Sequence, residues 1–64
     1  MTEFKPGDIV VLAATDDWPE HRFRVDYVFD DCLGGYSLTG PFAGQYGEPE
    51  CALVIRTDNP QTKE

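Results

Sequence analysis

The sequence predicts an all-β domain, a small barrel of five short strands. Three observations point to this fold class. Apolar runs rich in β-branched and aromatic residues are short, glycine and proline interrupt them at close intervals, and no stretch repeats apolar residues with the period of an amphipathic helix. Short strands punctuated in this way are typical of small barrels, in which closure of the sheet removes its exposed edges.

The first strand is predicted over residues 8–13. It follows a Pro-Gly turn at residues 6–7, and residues 9–12 are apolar at every position, so the strand is apolar on both faces. Residues 14–21 are predicted to form a loop, because they have no sustained period and Pro19 favours extended geometry in the residue before it.

The second strand, predicted over residues 22–29, carries the clearest alternation in the chain. Four of its apolar residues alternate with mostly polar ones, and we expect all four to face the barrel interior. They are Phe23, Val25, Tyr27 and Phe29. Val28 is then expected to face outward, together with Val54 and either Ile9 and Val11 or Val10 and Leu12. A contiguous outward apolar patch of this kind is typical of a protein interface.

The later elements are shorter. Gly34-Gly35 is interpreted as a pair of turn glycines, and a third strand is expected over residues 36–39. A short fourth strand is expected around residues 45–46, in a segment rich in glycine and aromatic residues. Residues 51–56 are predicted to form the last strand, which completes a set of five.

Residues 4–56 are predicted to form a single domain, and residues 57–64 a flexible polar tail that frays. Three motifs of this domain are informative: Lys5-Pro6-Gly7-Asp8-Ile9-Val10, Phe23-Arg24-Val25-Asp26-Tyr27-Val28 and Leu53-Val54-Ile55. In these motifs the domain resembles the SH3-like small barrels. The chain is similar to short bacterial and phage proteins that open with a Pro-Gly-Asp-x-Val strand. The resemblance implies a fold whose members bind peptides or nucleic acids, support assembly, or occasionally catalyse reactions.

The chain is strongly acidic. Twelve Asp and Glu residues against five Lys and Arg give a net charge of −7 over 64 residues, which disfavours direct binding to nucleic-acid phosphates. No apolar run reaches membrane-spanning length, so we expect no membrane partner. The N-terminus lacks the layout of a signal peptide, so we expect a cytoplasmic protein in which Cys32 and Cys51 are reduced.

We find no motif for catalysis, a metal or a cofactor, and therefore expect a protein that is not an enzyme and holds none of these groups. The aspartate pairs at residues 16–17 and 30–31 lack the alternating spacing of a calcium loop. His21, Cys32 and Cys51 lack the paired short spacing of a zinc site. The glycine-rich segments lack the Lys-Ser/Thr that follows a phosphate-binding loop.

Aromatic residues in or near the loops are the main candidate contact surface. The residues expected to bind a partner are Trp18, Tyr36, Phe42 and Tyr46, with Asp16, Asp17 and Glu20 giving charge selectivity. In the other interpretation, most of these rings close the ends of the barrel. If these residues form a contact surface, the sequence predicts a protein-interaction or assembly module of phage or mobile-element origin. Such a module acts on a protein partner or by self-association.

Two other functions remain open. One is an acidic regulator that mimics nucleic acid by presenting carboxylates to a DNA- or RNA-binding protein. Its residues would be Asp16, Asp17, Glu20, Asp30, Asp31, Glu48 and Glu50. The other is an oligomeric enzyme in which several barrels share a central pore, although the five cations show no sign of meeting around a phosphorylated cofactor.

Overall fold

A computed structural model of the chain describes residues 4–16 and 19–59. These residues form a five-stranded antiparallel sheet, which confirms the all-β prediction. The strands are β1 (Ile9–Leu12), β2 (His21–Val28), β3 (Leu33–Ser37), β4 (Tyr46–Gly47) and β5 (Val54–Thr57), and a 3₁₀-helical turn, Cys51–Leu53, leads into β5. In this part of the chain, no helix has the length and apolarity needed to cross a membrane.

The strands are ordered β4-β3-β2-β1-β5 across the sheet. Strands β1 to β4 follow one another as antiparallel neighbours, and β5 returns to pair with β1. Among the described residues β4 and β5 are the two edge strands and do not pair with each other. The sheet is therefore not closed into the barrel that the sequence predicts.

The turn before β1 has the geometry that its sequence predicts. Gly7 adopts a φ of 96°, and the Asp8 amide donates a 3.1 Å hydrogen bond to the Lys5 carbonyl. With Pro6 ahead of a positive-φ glycine, this is the pattern of a type II turn. The buried Asp8 carboxylate accepts hydrogen bonds from the Lys5 amide at 3.1 Å and from Asn59 Nδ2 at 3.2 Å. The start of β1 is thus tied to the residues that follow β5.

The apolar core lies on one face of the sheet. Its buried members are Val10, Leu12, Phe23, Val25 and Leu33, and partly buried Phe4, Cys51, Leu53 and Val54 pack against them. These nine residues come from β1, β2, β3 and β5, the lead-in to β1 and the 3₁₀ turn. The core therefore joins both ends of the described chain, although no single strand contributes more than two fully buried residues to it.

The outward residue of β1 is covered. Val11 lies on the opposite side of the strand from its two neighbours, yet only 2% of its surface is exposed. It is in register with Arg22 on β2 and Arg56 on β5, and all three line one small cleft. Because long charged side chains cover apolar surface with their aliphatic stems, Val11 does not contribute to an exposed patch. That part of the predicted outward apolar patch is therefore wrong.

Strand β2 buries the apolar residues of its first half and exposes those that follow. Phe23 and Val25 are 1% and 0% exposed, as the alternation predicts. Tyr27 and Phe29, which the same alternation assigns to the interior, are 56% and 45% exposed. The prediction that all four face the core is therefore correct for the first pair and wrong for the second.

A β-bulge at Asp26 explains the change of face. Val25 pairs with Gly35 and Tyr27 with Gly34, so adjacent residues of β3 are matched by residues two apart on β2. Asp26 is the extra residue, and because side chains alternate with a period of two, one extra residue moves those after it to the other face. The aromatic residues beyond the bulge consequently lie on the outer side of the sheet.

Gly34 and Gly35 lie inside β3 and are not turn glycines, so that prediction is wrong. A Cβ atom on Gly35 would stand 1.9 Å from the carbonyl oxygen of Arg24, which leaves no room for a side chain beside the bulge. Close backbone approach is a recognised reason for glycine within a strand. Two boundaries shift as well: β3 ends at residue 37, and residues 51–53 form a 3₁₀ turn where the last strand was predicted.

Candidate functional site

The side of the sheet opposite the core carries four exposed aromatic residues on or beside three neighbouring strands. They are Tyr27 (56% exposed), Phe29 (45%), Tyr36 (37%) and Tyr46 (46%). We call this surface the aromatic face. Large apolar groups left in water at one place are the usual mark of a contact surface on a small domain.

Strand register places one row of the aromatic face. Arg24 on β2 is opposite Tyr36 on β3, and Tyr36 is opposite Tyr46 on β4. The Arg24 guanidinium lies 5.5 Å from the centre of the Tyr36 ring, and the rings of Tyr36 and Tyr46 meet edge to face with their centres 5.6 Å apart. Such cross-strand contacts restrain the rings before any partner arrives.

Gly34 forms the floor under the rest of the aromatic face. A Cβ atom there would stand 2.6 Å from the Tyr46 hydroxyl, 3.0 Å from the Phe29 ring and 3.4 Å from Cβ of Tyr27. The rings of Tyr27 and Phe29 stack on each other, with their centres 6.4 Å apart and their planes at 28°. The missing side chain of Gly34 therefore lets residues from β2 and β4 meet above β3.

Carboxylates hold polar groups at two points of the aromatic face. The Tyr46 hydroxyl donates a 2.9 Å hydrogen bond to Glu48, and this bond, followed by burial and the Glu48 charge, raises the pKa of Tyr46 to about 12. At neutral pH the hydroxyl therefore remains a donor. Arg24 Nε donates to Asp26 at 3.2 Å, and this bond and the opposite charge raise the pKa of the Arg24 guanidinium.

Acidic side chains gather at the hairpin end of the aromatic face, around Cys32. Cys32 forms a β-bridge with Glu50, and the amide of Cys51 donates to the Asp31 carbonyl at 3.0 Å. Burial raises the pKa of the Cys32 thiol, and the nearby charges of Asp31, Glu48 and Glu50 raise it further. Two contacts join this acidic region to the aromatic face: Glu48 accepts the hydrogen bond of the Tyr46 hydroxyl, and the Phe29 amide donates to the Cys32 carbonyl at 2.9 Å.

A groove opens on the core side of Tyr46. It has a volume of about 620 Å³, and its lining includes Leu12, Phe23, Phe42 and Leu53, with His21 and Ser37 among its polar groups. Nδ1 of His21 lies 2.9 Å from the Pro19 carbonyl oxygen. Core residues form one part of its wall, and residues 45–50, with the carboxylates of Glu48 and Glu50, form much of the rest.

The structure brings together only some of the residues predicted to bind a partner. Tyr36 and Tyr46 pack on each other in the aromatic face. Phe42 lines the groove with Tyr46, and Glu20 lines the cleft beside Val11. Asp16 is exposed in the loop after β1. The other two predicted residues, Asp17 and Trp18, lie outside the described residues.

Sequence reasoning missed half of the aromatic face. The alternation of Tyr27 and Phe29 continues that of Phe23 and Val25, and therefore predicts the core for them. The available signal was the Gly34-Gly35 pair, since glycine within a strand often marks a bulge or a close backbone approach. Once those glycines are placed in β3 instead of a turn, a bulge on β2 becomes an expected feature.

Within residues 4–16 and 19–59, no group of three or more His, Cys, Asp or Glu side chains is arranged to hold a metal ion. Comparisons of the chain with protein-family models, with curated proteins and with solved structures give no match. A function for this protein therefore has to be inferred from the chemistry of its own surfaces. Of these surfaces, the aromatic face combines exposure, internal order and local charge.

Proposed function

We propose that this chain is a non-enzymatic protein-interaction module of the SH3-like class, and that it contacts its partner through the aromatic face. One observation carries the proposal: four aromatic side chains, each more than a third exposed, lie together on one side of the sheet. A domain of 64 residues needs large apolar residues for its core, so exposing four of them requires a compensating use.

The SH3-like assignment is supported by the strand order. After four antiparallel neighbours, the chain returns through a 3₁₀ turn and places β5 beside β1. In a closed barrel every strand has two neighbours, and this order already gives two neighbours to β1, β2 and β3. Reduced thiols at Cys32 and Cys51, both free in this structure, fit the cytoplasmic location that we propose for the protein.

The internal packing of the aromatic face suits it to binding. Tyrosine provides a large contact area with few rotatable bonds, so little conformational entropy is lost when a partner covers it. Tyr36 is already held between Arg24 and Tyr46, and Tyr27 is stacked on Phe29. A partner would thus meet a partly ordered surface, which reduces the cost of association.

The test is affinity capture from a lysate of the native host, with the double variant Tyr27→Thr/Tyr36→Thr as the bait of interest. Threonine keeps β-propensity while it removes the rings. Ile55→Thr is the matched control. Like the two tyrosines, Ile55 is a large exposed residue on a strand (51% exposed), but it lies on β5, away from the aromatic face. We expect wild type and the control to retain the same partner and the double variant to lose it.

Circular dichroism and thermal unfolding must show that all three baits are folded. Retention of the partner by the double variant would contradict the proposal, since the aromatic face would then not be the contact surface. A wild-type protein that captures nothing and sediments as a monomer at every concentration would contradict it as well.

A second candidate function is the acidic mimic of nucleic acid, which is favoured by the clustering of Asp31, Glu48 and Glu50 around Cys32. Glu20 lies near the other end of β2, so the cluster at the hairpin end would have to act without it. Partner binding would then weaken steeply with salt, and a nucleic acid would compete for the same partner. Binding that is insensitive to salt excludes this function.

A further inference from the structure

The charge around the aromatic face limits which side chains a partner can present to it. Asp30 and Asp31 follow Phe29 directly, and Glu48 accepts the hydrogen bond of Tyr46. Arg24, the cation of this surface, already pairs with Asp26 at 3.2 Å. The local excess is therefore negative, as is the net charge of the whole chain, and the field favours approach of a cation.

The aromatic face contains one example of the contact that a cation would make. The Arg24 guanidinium stands 5.5 Å from the centre of the Tyr36 ring while the Asp26 carboxylate holds its edge. This distance lies within the range of a cation–π interaction. A ring with a carboxylate beside it thus accommodates a guanidinium on this surface.

Tyr46 and Glu48 repeat the same combination of a ring and a carboxylate. In the described part of the chain, the ion pairs are those of Lys5 with Asp8, Arg22 with Asp58 and Arg24 with Asp26. None of them involves Glu48, whose carboxylate receives the Tyr46 hydroxyl instead. The second ring-and-carboxylate pair is therefore available to a cation from outside the chain.

We propose that the aromatic face docks a basic, arginine-bearing segment of a partner protein, with an arginine against the rings of Phe29 and Tyr46 and beside the Glu48 carboxylate. The proposal rests on the proposed function, because it names the partner of the same surface. Arginine fits better than lysine, since its planar guanidinium stacks on a ring while its edge bonds a carboxylate.

A second copy of the chain is a poorer occupant of this surface. A two-fold symmetric contact through the aromatic face would bring the same patch of each subunit together. Such a contact would gather two sets of Asp31, Glu48 and Glu50 at one interface, between chains that each carry a net charge of −7. Like charges placed together across an interface cost affinity, so the observed charge favours a basic partner.

The experiment is an NMR titration of the isotope-labelled full chain at low ionic strength. The probe is a short peptide that alternates arginine with glycine, and peptides with lysine or glutamate in place of arginine are the comparisons. We expect shifts concentrated at Phe29, Tyr46 and Glu48, tighter binding of the arginine peptide than of the lysine peptide, and no binding of the glutamate peptide. Binding should weaken as salt shortens the range of the electrostatic attraction.

Paired charge variants separate docking at this surface from attraction to any acidic protein. Glu48→Gln and Glu20→Gln each remove one negative charge, but only Glu48 lies at the aromatic face. We expect Glu48→Gln to weaken the arginine peptide about two- to five-fold, the range of one exposed cation–π or ionic contact, and Glu20→Gln to have a smaller effect. Ile55→Thr should leave binding unchanged.

Three outcomes would overturn the inference: shifts spread over all acidic residues, equal weakening by the two Glu→Gln variants, or equal affinity for the arginine and lysine peptides. Dimerisation through the aromatic face in sedimentation experiments would also overturn it, because a second copy would then be the occupant. If the tyrosine double variant loses its captured partner while the arginine peptide leaves the face unperturbed, the proposed function stands and this inference fails.

Discussion

The two halves of β2 share one sequence pattern, but their apolar residues lie on opposite sides of the sheet. In residues 21–25 the alternation is regular, and Phe23 and Val25 enter the core. After the bulge at Asp26 the same alternation continues with Tyr27 and Phe29, and both lie on the outer side. One extra residue therefore decides whether an aromatic pair builds the core or a candidate binding surface.

The two halves of β2 have different neighbouring strands, and this difference favours burial of apolar residues in the first half. β1 pairs with residues 21–24 of β2, and the Val25 amide bonds to the Asp8 carbonyl at 2.8 Å. Beyond that point β2 pairs with β3 alone. The second half of β2 therefore has a neighbouring strand on one side only, so its aromatic residues have fewer cross-strand neighbours to pack against than Phe23 and Val25 have.

The strongest test of this comparison removes one aromatic ring from each half. Phe23→Ala should destabilise the fold by about 3–5 kcal/mol, because it leaves a cavity at a residue that is 1% exposed. Tyr27→Ala should cost less than about 1 kcal/mol, since the ring lies mostly in solvent and the loss is chiefly one of β-propensity. Urea unfolding monitored by circular dichroism measures both changes.

A Phe23→Ala protein that fails to fold also meets this expectation, provided that Tyr27→Ala folds. Equal destabilisation by the two substitutions would show that Tyr27 lies in the core, as the unbroken alternation predicts. The comparison between the two halves would then be lost, and the aromatic face with it.

The second test acts on the backbone that permits the bulge. Gly35→Ala places a Cβ atom 1.9 Å from the Arg24 carbonyl oxygen, and because that neighbour is backbone, β2 and β3 must move apart. We expect a loss of about 1–3 kcal/mol in the free energy of unfolding, the usual range for forced overpacking. Thermal unfolding followed by circular dichroism is the measurement.

Gly47→Ala is the matched control, because nothing lies within 4 Å of its added Cβ atom and its φ is not positive. We expect it to change stability by less than about 1 kcal/mol, through the entropy of the unfolded chain. If Gly35→Ala is as mild as Gly47→Ala, the two strands do not approach as closely as the bulge requires.

Much of the fold is visible in local sequence. The Pro6-Gly7 turn and the apolar run after it identify β1, and regular alternation identifies the first half of β2. The bulge is not visible there, because it depends on how β2 pairs with a strand several residues further on. The Gly34-Gly35 pair is interpreted from the sequence as a turn, and only its pairing with β2 shows a close backbone approach within a strand.

The candidate site shows the same difference, because the sequence predicts two of its aromatic residues as contact residues and misses the other two. Their place in or near the loops of the glycine-rich half predicts Tyr36 and Tyr46 as contact residues, and the two rings do pack together. For Tyr27 and Phe29 the regular alternation predicts the core, which is wrong. Alternation thus assigns a residue to the wrong face of the sheet where a bulge reverses it.

The smallest expected effect is a titration that reports on packing beyond the bulge. The Tyr46 hydroxyl lies above Gly34, the β3 partner of Tyr27, and its bond to Glu48 raises the pKa of Tyr46 from 10.0 to about 12. We expect Glu48→Gln to lower this pKa towards 10.0, as measured by the NMR signal of the Tyr46 ring across alkaline pH. Glu20→Gln is the control and should leave it unchanged.

The same bond links stability to pH with a definite sign. Because the pKa of Tyr46 is higher in the folded chain than in the unfolded chain, the folded chain binds more protons between pH 10 and about 12. The stabilisation is therefore fully present below pH 10 and is lost as the pH rises through about 12. An equal pKa of Tyr46 in wild type and in Glu48→Gln would show that the Tyr46 hydroxyl does not bond to Glu48. The Tyr46 side chain would then pack over Gly34 differently from the arrangement described above, in which it lies near Tyr27 and Phe29 on the outer side of the sheet.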